Sequence, residues 1–403
     1  MGFSWVLLAL FSLFILSTPT CSGHSHQSRS ALPDAWFHPR NHPVHALFGR
    51  QNGTGFPTDG ISYPQVGSPT WAAAYPVGTP DANAMPQIWK DALNAAVQAG
   101  KIPNIPPSSD PNNGNPVYPP GINPNSPQVC SATYKCRIVG DIWDAPSGVI
   151  GISFDDGPLP WPALTTMSSN RLYNFLQTNN VKATHFFIGV NIINNAQTFL
   201  TAFNTNQDDI AVHTWTHPHM TTLSNVDVIA QLAWTMQLIH NSTGGRVPRF
   251  WRPPYGDTDA RVSAIAKEVL GLTTIIWNQD TEDWSLGPNG TTLANIHNNM
   301  QGWLTARTLR SVRSGLIDNY PLIGANNWKP ISVVQLDGLD APYQNAQGTM
   351  GSVTAAGILA NVSNTPPDLP GSASSGNATT SASSSISTAG TSTAISTYYR
   401  GSG

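Results

Sequence analysis

The sequence predicts an α/β fold in which parallel strands alternate with crossover helices, closed as a barrel or laid out as an open sheet. Two observations lead to it. From about Asp141 onward, short apolar runs alternate with longer amphipathic ones. Each polar cluster in that stretch falls just after an apolar run, which is where ligands bind in both architectures. Composition adds one sizeable folded region with low-complexity flanks, since the 403 residues hold 34 Gly, 34 Pro and only 10% charged side chains.

Residues 1–23 carry an apolar run from Trp5 to Leu16, short for a bilayer span, and end in the small residues Ser22 and Gly23. They predict a cleaved secretory signal, with no transmembrane span in the mature chain, and the absence of Lys or Arg ahead of the run leaves an uncleaved anchor as the alternative. Cleavage would remove Cys21 and leave Cys130 and Cys136, an even pair suited to a small disulfide loop in an oxidising compartment. Glycosylation triplets at Asn52, Asn241, Asn289, Asn361 and Asn377 fit that compartment.

Residues 24–140 form an extension rich in Pro, Gly and Asn, with one helical pattern over 86–99. The folded region is 141–345. Its predicted strands are 149–154, 183–188, 209–212, 249–251, 273–277 and 331–336, and its predicted helices 163–177, 225–239 and 259–269. Residues 365–403 are Ser/Thr-rich and bury too little apolar area to offset ordering, which predicts a disordered stalk. The last residues form no apolar tail, so a lipid anchor is not predicted. Net charge is -3 and no Lys/Arg block occurs, which argues against nucleic acid as a partner.

Four clusters carry chemistry. Asp155 and Asp156 sit side by side at a strand end before the turn Gly157-Pro158, and two neighbouring anions call for a cation or for distinct roles. A solvated turn is the bland reading. His213 and His217, four residues apart after the run 209–212, can face one point, and with Asp155 or Asp156 would make a two-His, one-carboxylate site. Such a site leaves a position open for water, as catalytic zinc requires and other divalent metals tolerate. Arg252-Pro253-Pro254-Tyr255 stiffens the chain after a strand, which suits aiming a peptide N–H or an Arg fork, or simply making a turn. Trp277 to Trp284 mixes acids with two indoles, fit for a sugar or for an amphipathic rim.

In this order and at these strand ends, the clusters resemble the first four motifs of the polysaccharide deacetylases, the NodB-homology or carbohydrate esterase family four, and 208–284 is most similar to basidiomycete chitin deacetylases. The resemblance implies a distorted (β/α) barrel and metal-dependent removal of N-acetyl groups from chitin in the fungal wall, or from another acetylated polysaccharide. It implies Asp155 as base, Asp156, His213 and His217 as ligands of zinc or cobalt, and Arg252 as the residue orienting the base. Tyr255 would supply an oxyanion N–H beside Pro254, Asp283 would support the Arg, and Trp284 would line the acetyl pocket. Chitin or a chitooligosaccharide is the implied partner, in a secreted or wall-bound setting.

One family feature is missing. The proton for the leaving amine comes in the family from a His in a fifth motif, yet between Trp284 and Asn345 the only histidine is His297, in a helical pattern. Either Gln335 takes that position or the motif is deleted, and the basic, non-alternating stretch 306–315 favours deletion with loss of a barrel strand. A wall protein that binds chitin without turnover is the alternative this gap invites.

Overall fold

Among the described residues eight strands, every pair parallel, carry the site: β1 (Val149–Phe154), β2 (Thr184–Phe187), β3 (Asp209–Val212), β4 (Phe250–Trp251), β5 (Thr273–Thr274), β6 (Gln279–Asp280), β7 (Ser311–Arg313) and β8 (Lys329–Ser332). They lie in the order β5-β4-β3-β2-β1-β7-β6, with β8 also on β1, in an incomplete barrel whose ends are β5 and β6. The computed structural model describes residues 62–345 except 111–113, 146–148, 160–168, 307–310, 314–322, 324, 327 and 337–341. The predicted signal, the stalk, and Asn52, Asn361 and Asn377 lie outside the described residues.

Period-two alternation sorts the strand residues into two faces. Ile150, Ile152, Phe187, Ile210, Val212 and Trp251 point outward into clusters shared with the helices. Phe186, Ala211, Phe250 and Ile275 point inward and meet Val333 and Val334. One step further along the inward face stand His213 and Arg252, so the alternation that builds the core also delivers polar groups to its C-terminal mouth. At the other end Ser332 bonds Thr184 and Asp209, each at 2.5 Å.

Around the sheet run α1 (Pro69–Ala72), α2 (Gln87–Gln98), α3 (Ser169–Thr178), α4 (Gly189–Asn194), α5 (Ala196–Leu200), α6 (Asn225–Ser242), α7 (Ala260–Leu270) and α8 (Leu293–Ala306). Ser224 caps α6 by accepting from the Asp227 N–H at 3.2 Å, and Asp259 caps α7 by accepting from the Val262 N–H at 2.8 Å. Gly271 ends α7 at φ +66, and a Cβ there would press on Gln344. Helix α6 is buried on every side from Val228 to His240, because the sheet covers one face and the extension covers another.

That cover is extensive. Trp89, Ala92, Leu93 and Ala96 of α2 form one buried stripe, and Trp89 meets Trp234 of α6 edge-on at 5.0 Å. Trp71 donates from Nε1 to Ser242 Oγ at 2.9 Å. Cys130 and Cys136 are joined by a disulfide with Cα atoms 5.0 Å apart.

The structure corrects three details of the sequence reading. A strand stands within 306–315, where loss was expected: Ser311–Arg313 pairs with β1 and β6, since both offer unpaired backbone edges that three residues of any composition can satisfy. The run 331–336 is strand only to Ser332, after which the 3-10 turn Val333–Gln335 drives its valines into the barrel. Gly151 makes room for them, with Val333 Cγ1 only 2.7 Å from where a Cβ would lie. The run 273–277 pairs with β4 only to Thr274, and Ile276 then donates to the Ile142 carbonyl at 2.8 Å.

Candidate active site

Asp155 and Asp156 follow β1 and diverge. The backbone of Asp156 is left-handed, φ 69, which turns its side chain away from that of Asp155. Asp155 is buried against Arg252, whose Nη1 donates to Asp155 Oδ1 and to Ser153 Oγ, both at 2.8 Å. The guanidinium is itself wholly buried, lies 4.2 Å over the Phe186 ring and donates from Nε to the Ile275 carbonyl at 3.3 Å. A buried arginine without a carboxylate would be costly, so the pair holds Asp155 in one place.

Asp156 faces two imidazoles. Its Oδ1 lies 3.2 Å from His213 Nε2 and 3.0 Å from His217 Nε2, and the three atoms fall within 4.8 Å of one another. Burial of this inner oxygen opposes its charge, yet the bonds and charges of the two imidazoles outweigh that and hold the carboxyl well below the usual range. His213 directly follows β3, and its Nδ1 donates to the Arg252 carbonyl at 2.8 Å. Since a carbonyl only accepts, neutral His213 must carry its proton on Nδ1 and aim the Nε2 lone pair at a carboxylate oxygen. The positive centre facing this carboxylate is supplied by protonated imidazoles or, when the rings are neutral, by a bound cation. A divalent cation fits the donor set, and the Nδ1–H bond is the outer-shell partner such a ligand requires.

The loop bearing His217 is tightly specified. Thr214 and His217 are both left-handed, at φ 67 and 62. Gln231 of α6 accepts from the N–H of Trp215 and of Thr216, each at 2.9 Å, and donates to Thr216 Oγ1 at 2.8 Å. Thr214 Oγ1 accepts from the His217 N–H at 2.9 Å. Beyond it, Ser108 of the extension bonds Thr221 through backbone and hydroxyl.

Tyr255, at φ 58, sits half-exposed with its ring edge-on to His217 at 4.6 Å and stacked on His219 at 4.1 Å. His219 in turn lies 3.4 Å from Asp110 of the extension. Pro254 is buried, Asp283 is buried at the start of the 3-10 turn Asp283–Ser285, and Trp284 is half-exposed beside it. Asn289 is exposed, whereas Asn241 lies in α6 and its amide oxygen accepts from Gln237 at 2.7 Å. His297 is exposed on α8.

Sequence reasoning missed Ser153, Gln231, Asp110 and the place of His219. Gln231 did leave a signal, a lone amide in an apolar helical stretch. Asp110 left none, because its partner is remote in sequence.

These observations define a parallel α/β barrel with an Asp-His-His cluster at the C-terminal ends of its strands, able to hold a metal ion, beside a second acid locked to arginine. The polysaccharide deacetylase family matches residues 144–275. Chitin deacetylase 3 of Cryptococcus neoformans var. neoformans is 35% identical over 369 residues, covering 87% of this chain and 84% of that protein. The chitin deacetylase of Amylomyces rouxii is 44% identical over 137 residues, 34% of this chain and 30% of its own length. The solved chitin deacetylase from the fungal pathogen Colletotrichum lindemuthianum aligns at 23% identity over 50% of this chain and 92% of its own, with a TM-score of 0.41. The chain belongs to the polysaccharide deacetylase family.

Proposed function

We propose that this chain is a secreted, metal-dependent chitin deacetylase that converts N-acetylglucosamine units of wall chitin to glucosamine and acetate. The observation that carries the reading is the convergence of Asp156 Oδ1 with His213 and His217 Nε2, at 3.2 and 3.0 Å, next to the arginine-held Asp155. The names of its relatives support chitin as the polymer.

Asp156, His213 and His217 would hold zinc or cobalt. When bound, such an ion polarises an amide carbonyl and acidifies water near neutral pH. Asp155 takes the proton from the attacking water, aimed by its hydrogen bond from Arg252. The backbone N–H of Tyr255 steadies the developing oxyanion, a donor type whose loss costs about two to three orders of magnitude. Trp284 and Pro254 border the acetyl group, and Asp283 supports Arg252.

With His297 outward on α8, the proton held by Asp155 is the one at hand for the leaving amine. With no dedicated acid among the described residues, turnover should be slow by about two to four orders of magnitude. The Cys130–Cys136 disulfide supports an oxidising compartment, and no described helix is long and apolar enough to cross a membrane. Of the two described glycosylation triplets, exposed Asn289 is the acceptor this reading favours.

The test is acetate release from chitin oligomers by the purified chain with added zinc or cobalt, beside Asp155→Asn. Metal-dependent release that the variant loses is expected. Tight chitin binding with no metal-dependent acetate would instead establish a non-catalytic wall protein.

A further inference from the structure

We propose that the open cleft between the N-terminal extension and α4 is a sugar subsite, holding the neutral glycan one or more units away from the acetamide that is hydrolysed. This rests on chitin as substrate. The cleft measures about 790 Å3 and is walled by Ala73, Val77 and Thr79 on one side and by Ile193 and Asn194 on the other. Its inner end is formed by Thr216 and Pro218, the two neighbours of the metal-ligand candidate His217.

Both walls are fixed to the loop that carries His217. Val190 donates its N–H to the Trp215 carbonyl at 3.1 Å, and Gly189 donates to the Thr214 carbonyl at 3.0 Å. Any Cβ at Gly189 would overlap the Trp215 ring, so α4 and the loop are in direct contact. From the opposite wall the Tyr75 ring stacks on Trp215, 6.1 Å between centroids and 28° between planes. Cleft and metal centre therefore form one rigid unit.

The chemistry of the lining selects the occupant. No described lining residue carries a charge, which disfavours acidic or basic partners. Apolar surface from Pro76, Val77 and Ile193 suits the face of a pyranose ring, while Asn194 and Thr79 offer amide and hydroxyl groups to its edge. Val77 stands fully in solvent beside the cleft, an apolar side chain without cover. A linear polymer attacked at an internal sugar must leave the metal centre in both directions, and this cleft opens from one flank of it.

Calorimetric binding of N-acetylchitopentaose and N,N′-diacetylchitobiose to the zinc-loaded full chain tests the assignment, with Ala73→Trp and Val77→Asp as variants at exposed positions. The wild type should bind the pentamer at least ~10-fold tighter than the dimer, and each variant should lose most of that advantage while keeping dimer affinity and metal content. Equal affinity of the wild type for the two oligomers, or variants that keep the full advantage, would overturn the subsite. Acetate release is scored separately. Length-dependent binding without acetate sinks the hydrolase and leaves the cleft standing, whereas acetate release without length dependence does the reverse.

Discussion

Asp155 and Asp156 share a peptide bond and almost nothing else. One is paired with a buried guanidinium, the other with two imidazoles, and the left-handed turn at Asp156 separates them. Asp156→Asn should abolish stoichiometric zinc, read by elemental analysis, whereas Asp155→Asn should keep the metal and lower acetate release by about two to four orders of magnitude. Arg252→Met should cost about 3–5 kcal/mol in chemical denaturation by stranding the buried Asp155 charge. The residues of this site were legible in the sequence as types and spacings. Spacing alone left open which acid faces the imidazoles, because that depends on one backbone dihedral, and only the family resemblance pointed to Asp156. Two further acids set the pH response: Asp141 is raised to about 7 and Asp257 to about 6 from the ordinary 3.8, burial being the main cause in both. Each holds in the fold a proton that the unfolded chain has released, so their contribution is greatest below pH about 4 and is lost as pH rises through 6 and 7. Asp141→Asn should flatten the fall in denaturation midpoint across that window.

At the scale of elements, the strands that announce themselves are β1 and β3, apolar runs ended by charged or imidazole residues, and both match the predicted bounds. Helix α6 was legible for its apolar length, although its Ser224 cap went unread and its all-round burial depends on an extension no periodicity could dock. The polar pair Gln279–Asp280 and the triplet Ser311–Arg313 were illegible as strands, since their pairing comes from neighbouring edges and not from their own side chains. Val333 and Val334 misled for the opposite reason, because an apolar run reads alike whether it pairs in a sheet or plugs one. Trp89 marks where α2 closes over α6, and Trp89→Ala should cost about 3–5 kcal/mol, measured by urea denaturation.

For the whole molecule, the extension is part of the folded body. Trp71, Tyr75 and Trp89 share one apolar cluster with Trp215 and Trp234, and Ser108 and Asp110 reach the loop beyond His217. A chain beginning at residue 140 should therefore aggregate or lose cooperative unfolding in size-exclusion and thermal measurements.

The side chains that would grip the ion hang from the ends of β1 and β3, on one flank of the barrel, while β7 pairs on the opposite edge of β1. Selection can thus act on the two flanks separately. Because Asp155 and Arg252 share the flank of the ligands, a change that spreads β1 from β3 should remove metal and turnover together, whereas a change around β7 should leave the ion in place.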